Sequence, residues 1–413
     1  LDGRMGRALL IVFDIIFVEW IRAPLFSVLE SSVWLKTIKI GGENKRHAVA
    51  VVRGLVLTVP ILLIFGGLLS SADVVFAGLM DDVIAWITPN TPTDTLWQLG
   101  MIVLFAWLSI IGFRLLLTEP DPVEDVVKPA EKPKRLLRIS RIESGILLGG
   151  MNLMFIAFMV IQARYLFGGE ANINTQGLTY AQYARRGFWE LLMVACMVTL
   201  MTLILDKITT RDRENDRLFR GLTLAMIALT MLLSLSALYR LYIYENAYGY
   251  TRIRVMSGAF MLWLGVLLVF LAHDIARNRS WFWVGCVVVV FGFTLTLNVL
   301  NVDRFIATQN VNRWENGETF DVAYIASLSD DAVPIVIDLL DHPELTASQR
   351  ETILTRMGWR LHWLDNWQES RGVFGYHVSR ERAWQALNAE REALQDYIAP
   401  RPSYFSGDWS WYD

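Results

Sequence analysis

Arginine and tyrosine recur together beside the apolar stretches of this sequence. Arg240, Tyr244 and Tyr248 are spaced i, i+4, i+8, so one helix face carries all three, with Glu245 beside it. Gly249 is placed to end that helix, and Arg252 and Arg254 follow. The stretch 179–191 adds Tyr180, Tyr183, Arg185, Arg186 and Glu190. The stretch after 297 adds Asn298, Asn301, Asp303, Arg304, Asn310 and Arg313, and Asp73 ends an earlier apolar run. A guanidinium group grips a carboxylate or phosphate through two parallel N–H bonds. Two readings are therefore open. One is a site for an anionic ligand, such as a lipid headgroup or a cell-envelope precursor. The other is a lattice in which Asp73, Glu190, Glu245 and Asp303 neutralise the arginines, fix helix ends and seat the C-terminal part. The carboxylates are numerous enough to take up most of the guanidinium charge, which favours the lattice. A lattice would put Arg185, Arg240 and Arg252 each within hydrogen-bonding distance of a carboxylate.

Other chemistry has less support. His47, His273, His342, His362 and His377 show no HExxH or HxxxH spacing, so no zinc site is expected. A haem at His273 would need an axial partner, and His47 is the one histidine expected at that depth. Cys196 and Cys286 stand alone in apolar runs and are expected to behave as small buried side chains. No GxxxxGK[ST] and no strand-anchored GxGxxG occurs. Ser327 and Ser329, beside their aspartates, look like helix caps. The expectation is a non-catalytic protein without metal or cofactor.

The elements that must position these residues are membrane spans. The chain has 413 residues, is 54% hydrophobic and 19% charged, and has a mean hydropathy of +0.37; soluble domains are less apolar and more charged. A hydrocarbon core about 30 Å thick needs roughly 20 apolar helical residues. Seven segments qualify: 54–77, 96–117, 144–167, 188–206, 219–243, 254–273 and 281–300. Pro60 and Gly66-Gly67 lie inside the first, where packed neighbours can absorb a kink. Residues 8–21 are apolar but short and contain Asp14 and Glu19, so 1–52 is expected to form an amphipathic, in-plane N-terminal segment, with a further span as the alternative. A proton- or ion-coupled pathway needs ionisable groups in mid-span, and the main polar groups of 144–167 are the non-ionisable Asn152 and Gln162.

Charge gives an orientation. Lys36, Lys39, Lys45, Lys128, Lys132, Lys134 and Lys207 all fall in one set of loops, with most of the loop arginines. The opposite loops hold Arg164, Arg185, Arg186, Arg240, Arg252 and Arg254. By the positive-inside rule the lysine side is cytoplasmic. The pair 53–117, a Pro-rich cytoplasmic linker within 118–141 and the spans of 142–300 then leave 301–413 outside. Residues 1–301 carry 28 Lys+Arg and 23 Asp+Glu, whereas 302–413 carry 10 Arg and 18 Asp+Glu. The acidic end is unsuited to nucleic acid.

From 319 on the pattern is that of a small soluble helical domain. Ser329-Asp330-Asp331 with Pro334 starts one helix, and Thr346 with Gln349 forms a capping box opening a second to about 364. A third is expected over 379–398. Trp359, Trp363 and Trp367 share one helix face, suited either to the core or to the membrane interface. The tail PSYFSGDWSWYD is aromatic and acidic.

QARYLFGG (162–169), TYAQYARRGFWEL (179–191), YRLYIYENAYGYTRIR (239–254), NVDRFIATQN (301–310) and AYIASLSDDAVP (323–334) resemble motifs of an uncharacterised family of bacterial inner-membrane proteins, known as a domain of unknown function. The resemblance spans roughly residues 53–340. It implies the polytopic topology and no activity, substrate or cofactor.

The sequence thus predicts an all-α fold: a polytopic helical membrane bundle with a small extracytoplasmic helical domain. The expected role is a scaffold or accessory subunit of an envelope complex, in contact with membrane lipids and with protein partners through the Trp-rich C-terminal domain. The alternative is a receptor or transporter-like protein for an anionic ligand.

Overall fold

A computed structural model of the chain describes residues 43–87, 139–166, 187–210, 216–277, 281–372 and 375–398. The segment 96–117, the N-terminal stretch 8–21, the linker 118–135 and the tail from 402 lie outside these residues. The helices, in chain order, are α1 Glu43–Ala72, α2 Val74–Ile87, α3 Arg141–Leu166, α4 Phe188–Ile208, α5 Arg217–Tyr248, α6 Arg252–Arg277 and α7 Phe282–Leu300. They continue as α8 Val302–Glu315, α9 Val322–Ile325, α10 Val333–Asp338, α11 Ala347–Ser370, α12 Val378–Ala389 and α13 Arg391–Leu394. Among the described residues, six helices are long and apolar enough to cross a membrane: His47–Ala72 of α1, Arg141–Ala163 of α3, and α4, α5, α6 and α7. Six of the seven expected segments lie on them.

The chain divides into two compact units. The first holds α1 to α3 with residues 193–233 of α4 and α5. Its closest packing is α1 against α3, and small residues permit it. A Cβ on Gly54 would sit 2.8 Å from Ile146 Cδ1 and 3.1 Å from the Glu143 backbone, and one on Gly150 would sit 3.2 Å from Thr58 Cγ2. Without a hydrophobic driving force between helices in lipid, such backbone approach is what holds a pair together. Phe65 and Phe76 meet Phe155 and Phe158 edge to face at 6.0 and 5.1 Å. Asn152 Nδ2 donates to Leu222 O at 2.9 Å, tying α3 to α5 inside the apolar region. A capping box starts α3: Ser140 N–H donates to Glu143 Oε2 at 2.7 Å and Glu143 N–H to Ser140 Oγ at 3.3 Å.

The run expected as one helix over 54–77 is two. Asp73 separates them, its Oδ1 accepting from Val75 N–H at 3.0 Å and Phe76 N–H at 3.2 Å. A carboxylate that satisfies two first-turn amides starts a new helix there.

The second unit holds the first turn of α4, residues 234–274 with the C-terminal part of α5 and most of α6, and everything from α7 on. Helices α6 and α7 form a hairpin packed through glycine. A Cβ on Gly285 would sit 2.6 Å from Phe270 Cγ, and one on Gly292 would overlap the Trp263 ring. The rings are seven residues apart on α6 and the glycines seven apart on α7, so two knobs enter two holes. Trp263 Nε1 also donates to Thr296 Oγ1 at 3.0 Å. Asp274 closes the turn, its two oxygens accepting from Trp281 N–H at 2.6 Å and Phe282 N–H at 2.8 Å. His273 packs its ring against Trp281 at 6.0 Å.

The C-terminal core takes in α8, which lies within 301–413 but before 319, where the pattern of soluble helix begins. Ile306 and Ala307 of α8 are buried with Val333, Val336, Ile353, Met357, Leu361, Leu364, Ala383, Leu387 and Leu394. Thr346 and Gln349 form the expected capping box, and α11 runs on to Ser370. The helix expected over 379–398 breaks at Glu390, where α12 ends and α13 begins. Trp363 is not a core residue. The buried stripe of α11 is Ile353, Met357, Leu361 and Leu364, and at about 100° per residue Trp363 falls well round the helix from it. Trp367 packs against the core edge.

Candidate functional site

The residues singled out by type divide by where the fold puts them. Tyr183, Arg185 and Arg186 lie outside the described residues. Asp73 is the α2 cap, in the first compact unit. Glu190 sits in the first turn of α4. The others gather around the turn from α5 to α6.

Helix α5 continues to Tyr248, and Gly249 follows with φ +83°, the left-handed C′ geometry that glycine adopts without strain. Asn310 of α8 clasps the turn. Its Oδ1 accepts from Tyr250 N–H at 2.9 Å, and its Nδ2 donates to Tyr250 O at 2.9 Å and to Ile306 O at 3.0 Å. Gly249 must lack a side chain here, because a Cβ would lie 2.6 Å from Asn310 Oδ1. Arg313, one helical turn further along α8, donates through Nε to Asn246 O at 2.8 Å and lies 3.7 Å from Glu318.

Arg252 makes the strongest contact of the set. Its Nε donates to Asp303 Oδ1 at 2.7 Å and its Nη2 to Asp303 Oδ2 at 2.5 Å, the two-pronged fork. Asp303 Oδ2 also accepts from Ser329 N–H at 2.7 Å, and Tyr324 Oη accepts from Arg252 N–H at 3.0 Å. Burial alone would raise the Asp303 pKa, but the Arg252 fork and the Ser329 donors outweigh it and hold the carboxyl below its ordinary range. Burial pushes the Tyr324 hydroxyl up, so it stays neutral and keeps its place.

Arg254 donates to Gly249 O at 2.5 Å and to Tyr244 Oη at 3.0 Å, and its guanidinium lies 4.0 Å from the Tyr244 ring centroid. Tyr244 in turn meets Tyr248 edge to face at 5.2 Å. Glu245 is buried, with Arg254 close enough to act on its charge. Arg240 is only 2% exposed, the largest fully buried side chain of the described residues. Asn301, with φ 48°, joins α7 to α8 and caps α8 by accepting from Arg304 N–H at 3.5 Å.

Three of the five sequence motifs thus meet at one place: 239–254 supplies the turn, 301–310 the clasp, and 323–334 Tyr324 and Ser329. Residue type alone marked the arginines and Asp303. It did not mark Tyr324 or Ser329, whose signal was their presence in a motif otherwise explained by capping.

The model of a family described as a domain of unknown function, DUF4153, matches residues 2–339. The chain belongs to that family. The match takes in the N-terminal stretch before 53, which the resemblance by motif had left out, and it ends within the C-terminal core. The clasp lies wholly inside it, and α11 to α13 lie beyond it. No curated protein and no solved structure matches the chain. Among the described residues no group of three His, Cys, Asp or Glu side chains could hold a metal ion, and Cys196 and Cys286 are free thiols. This DUF4153 protein is an integral membrane protein whose best-defined polar site is a set of internal contacts.

Proposed function

We propose that this protein is a non-catalytic scaffold or accessory subunit of a cell-envelope complex in the bacterial inner membrane, with residues 301–413 on the extracytoplasmic side. The observation that supports it is where the guanidinium donors go. Arg252 is spent on Asp303, Arg254 on Gly249 O and Tyr244, and Arg313 on Asn246 O. The contacts of Arg252 and Arg313 join α8 to the membrane helices, those of Arg254 close the α5–α6 turn, and together they leave little charge for a soluble anion. The orientation rests on the lysines, all of which fall in the loops assigned to the cytoplasm.

One observation favours a second reading, a protein that binds an anionic ligand or headgroup at the turn. Arg313 Nη2, 3.7 Å from Glu318, and Thr251 Oγ1 are buried without a hydrogen-bond partner, and an anionic oxygen would give each an acceptor. Native mass spectrometry after gentle extraction from the source membrane separates the two. Stoichiometric protein partners are expected. A lone chain carrying an anionic metabolite would overturn the scaffold and favour the second reading.

A further inference from the structure

Helices α11 and α12 carry a face that the core does not use. Trp363 is 46% exposed, Tyr376 62% and Val378 49%. Two guanidinium groups alternate with the rings. Arg380 Cζ lies 4.8 Å from the Trp363 ring centroid and 5.7 Å from that of Trp367. Arg371 Cζ lies 5.2 Å from Trp367 and 5.9 Å from Tyr376. The side chains form a row, Trp363, Arg380, Trp367, Arg371, Tyr376, in which each ring has a cation against it. The row is ordered from below. Glu381 holds Arg371 at 2.7 Å and is itself held by Gln368 at 2.9 Å and Gln385 at 3.1 Å.

The composition of this face suits the layer between water and hydrocarbon. Tryptophan and tyrosine concentrate there, ring body toward the lipid and polar edge toward water. Arginine keeps its stem in the apolar part and reaches phosphate with its head.

Its place in the fold agrees. The membrane-spanning α7 ends at Leu300, and Asp303 stands in the first turn of α8. Asp303 accepts from Ser329 N–H at 2.7 Å. The next residue, Asp330, lies 3.8 Å from Arg360 and 3.9 Å from Arg380. A short chain of polar contacts therefore leads from the end of a span to the middle of the row. Residues 302–413 carry 18 Asp+Glu against 10 Arg, so an anionic surface would repel this part of the chain except where guanidinium groups front it.

We infer that the face formed by Trp363, Arg380, Trp367, Arg371 and Tyr376 seats the C-terminal helices on the lipid headgroup layer, with the rings at the edge of the acyl region and lipid phosphate on the guanidinium nitrogens of Arg371 and Arg380 that Glu381 and Asp330 do not take. The inference needs the protein to be in a membrane and does not need it to be an accessory subunit.

The test uses the full chain with Cys196→Ala and Cys286→Ala, reconstituted in phosphatidylcholine–phosphatidylglycerol discs. A fluorophore is attached at Tyr376→Cys, at Val378→Cys, or at the control Glu351→Cys, an exposed α11 position about 18 Å of helix from Trp363. Part of the phosphatidylcholine carries a nitroxide on its headgroup. The labels at 376 and 378 are expected to lose most of their fluorescence and the label at 351 to keep it. Equal emission at all three positions would overturn the inference. So would a label at 376 that is shielded only in native membranes, which assigns the face to a protein partner. Shielding from water that disappears when residues 402–413 are deleted, without nitroxide quenching, would assign it to the chain's own tail.

Discussion

Asp303 receives three donors from two separate stretches of chain: both arms of Arg252 and the N–H of Ser329. Its loss therefore acts on the α5–α6 turn and on the C-terminal helices together. Asp303→Asn is expected to cost about 2 kcal/mol, since it unpairs a half-buried guanidinium while keeping the shape. The drop in melting temperature in lipid-containing detergent measures it. Because its pKa is lowered in the fold, the stability this carboxyl supplies is fully present above the ordinary carboxylate value and is lost as pH falls through the lowered one. An acid titration of Asp303→Asn against the parent chain should show the two stabilities converging only below about pH 4, the ordinary carboxylate value. Gly249→Ala should destabilise by about 1–2 kcal/mol, from positive φ and the overlap with Asn310 together. At this scale the sequence was half legible. Arg252 and Asp303 carry complementary charges and were both candidates. Their pairing spans 51 residues and depends on how α6 meets α8, which no local spacing encodes.

At the scale of the elements, apolar length alone located six of the helices, because hydrocarbon thickness leaves little choice of span. Their joints were less legible. Asp73 looked like the end of an apolar run and is the cap of a second helix, since a buried carboxylate near free amides captures them. Asp274, which residue type did not single out, closes the α6–α7 hairpin. The glycines of α7 gave no signal against a valine-rich background. Only the structure shows that each receives a ring. Gly292→Leu should push Trp263 aside and open the hairpin, at a cost of about 1–3 kcal/mol. A cysteine pair at Phe260 and Phe293, whose rings now lie 6.2 Å apart, reports it: cross-linking should be efficient in the parent and fall in the variant.

At the scale of the molecule, the DUF4153 match takes in all six membrane-length helices of the described residues, and the orientation proposed from the lysines can be tested by itself. A cysteine placed at position 130 should be unreachable by impermeant thiol reagents in intact cells, and labelling there would reverse the topology. Whether the arginines serve the fold or a ligand is decided most directly by a double-mutant cycle on Arg252 and Asp303. Unfolding free energies are measured for Arg252→Ala, Asp303→Ala and the double variant, with and without inorganic phosphate. A lattice predicts a coupling of about 1–3 kcal/mol and no stabilisation by phosphate. Coupling near zero, with phosphate raising the melting temperature of the parent chain, would contradict it and make the turn a binding site.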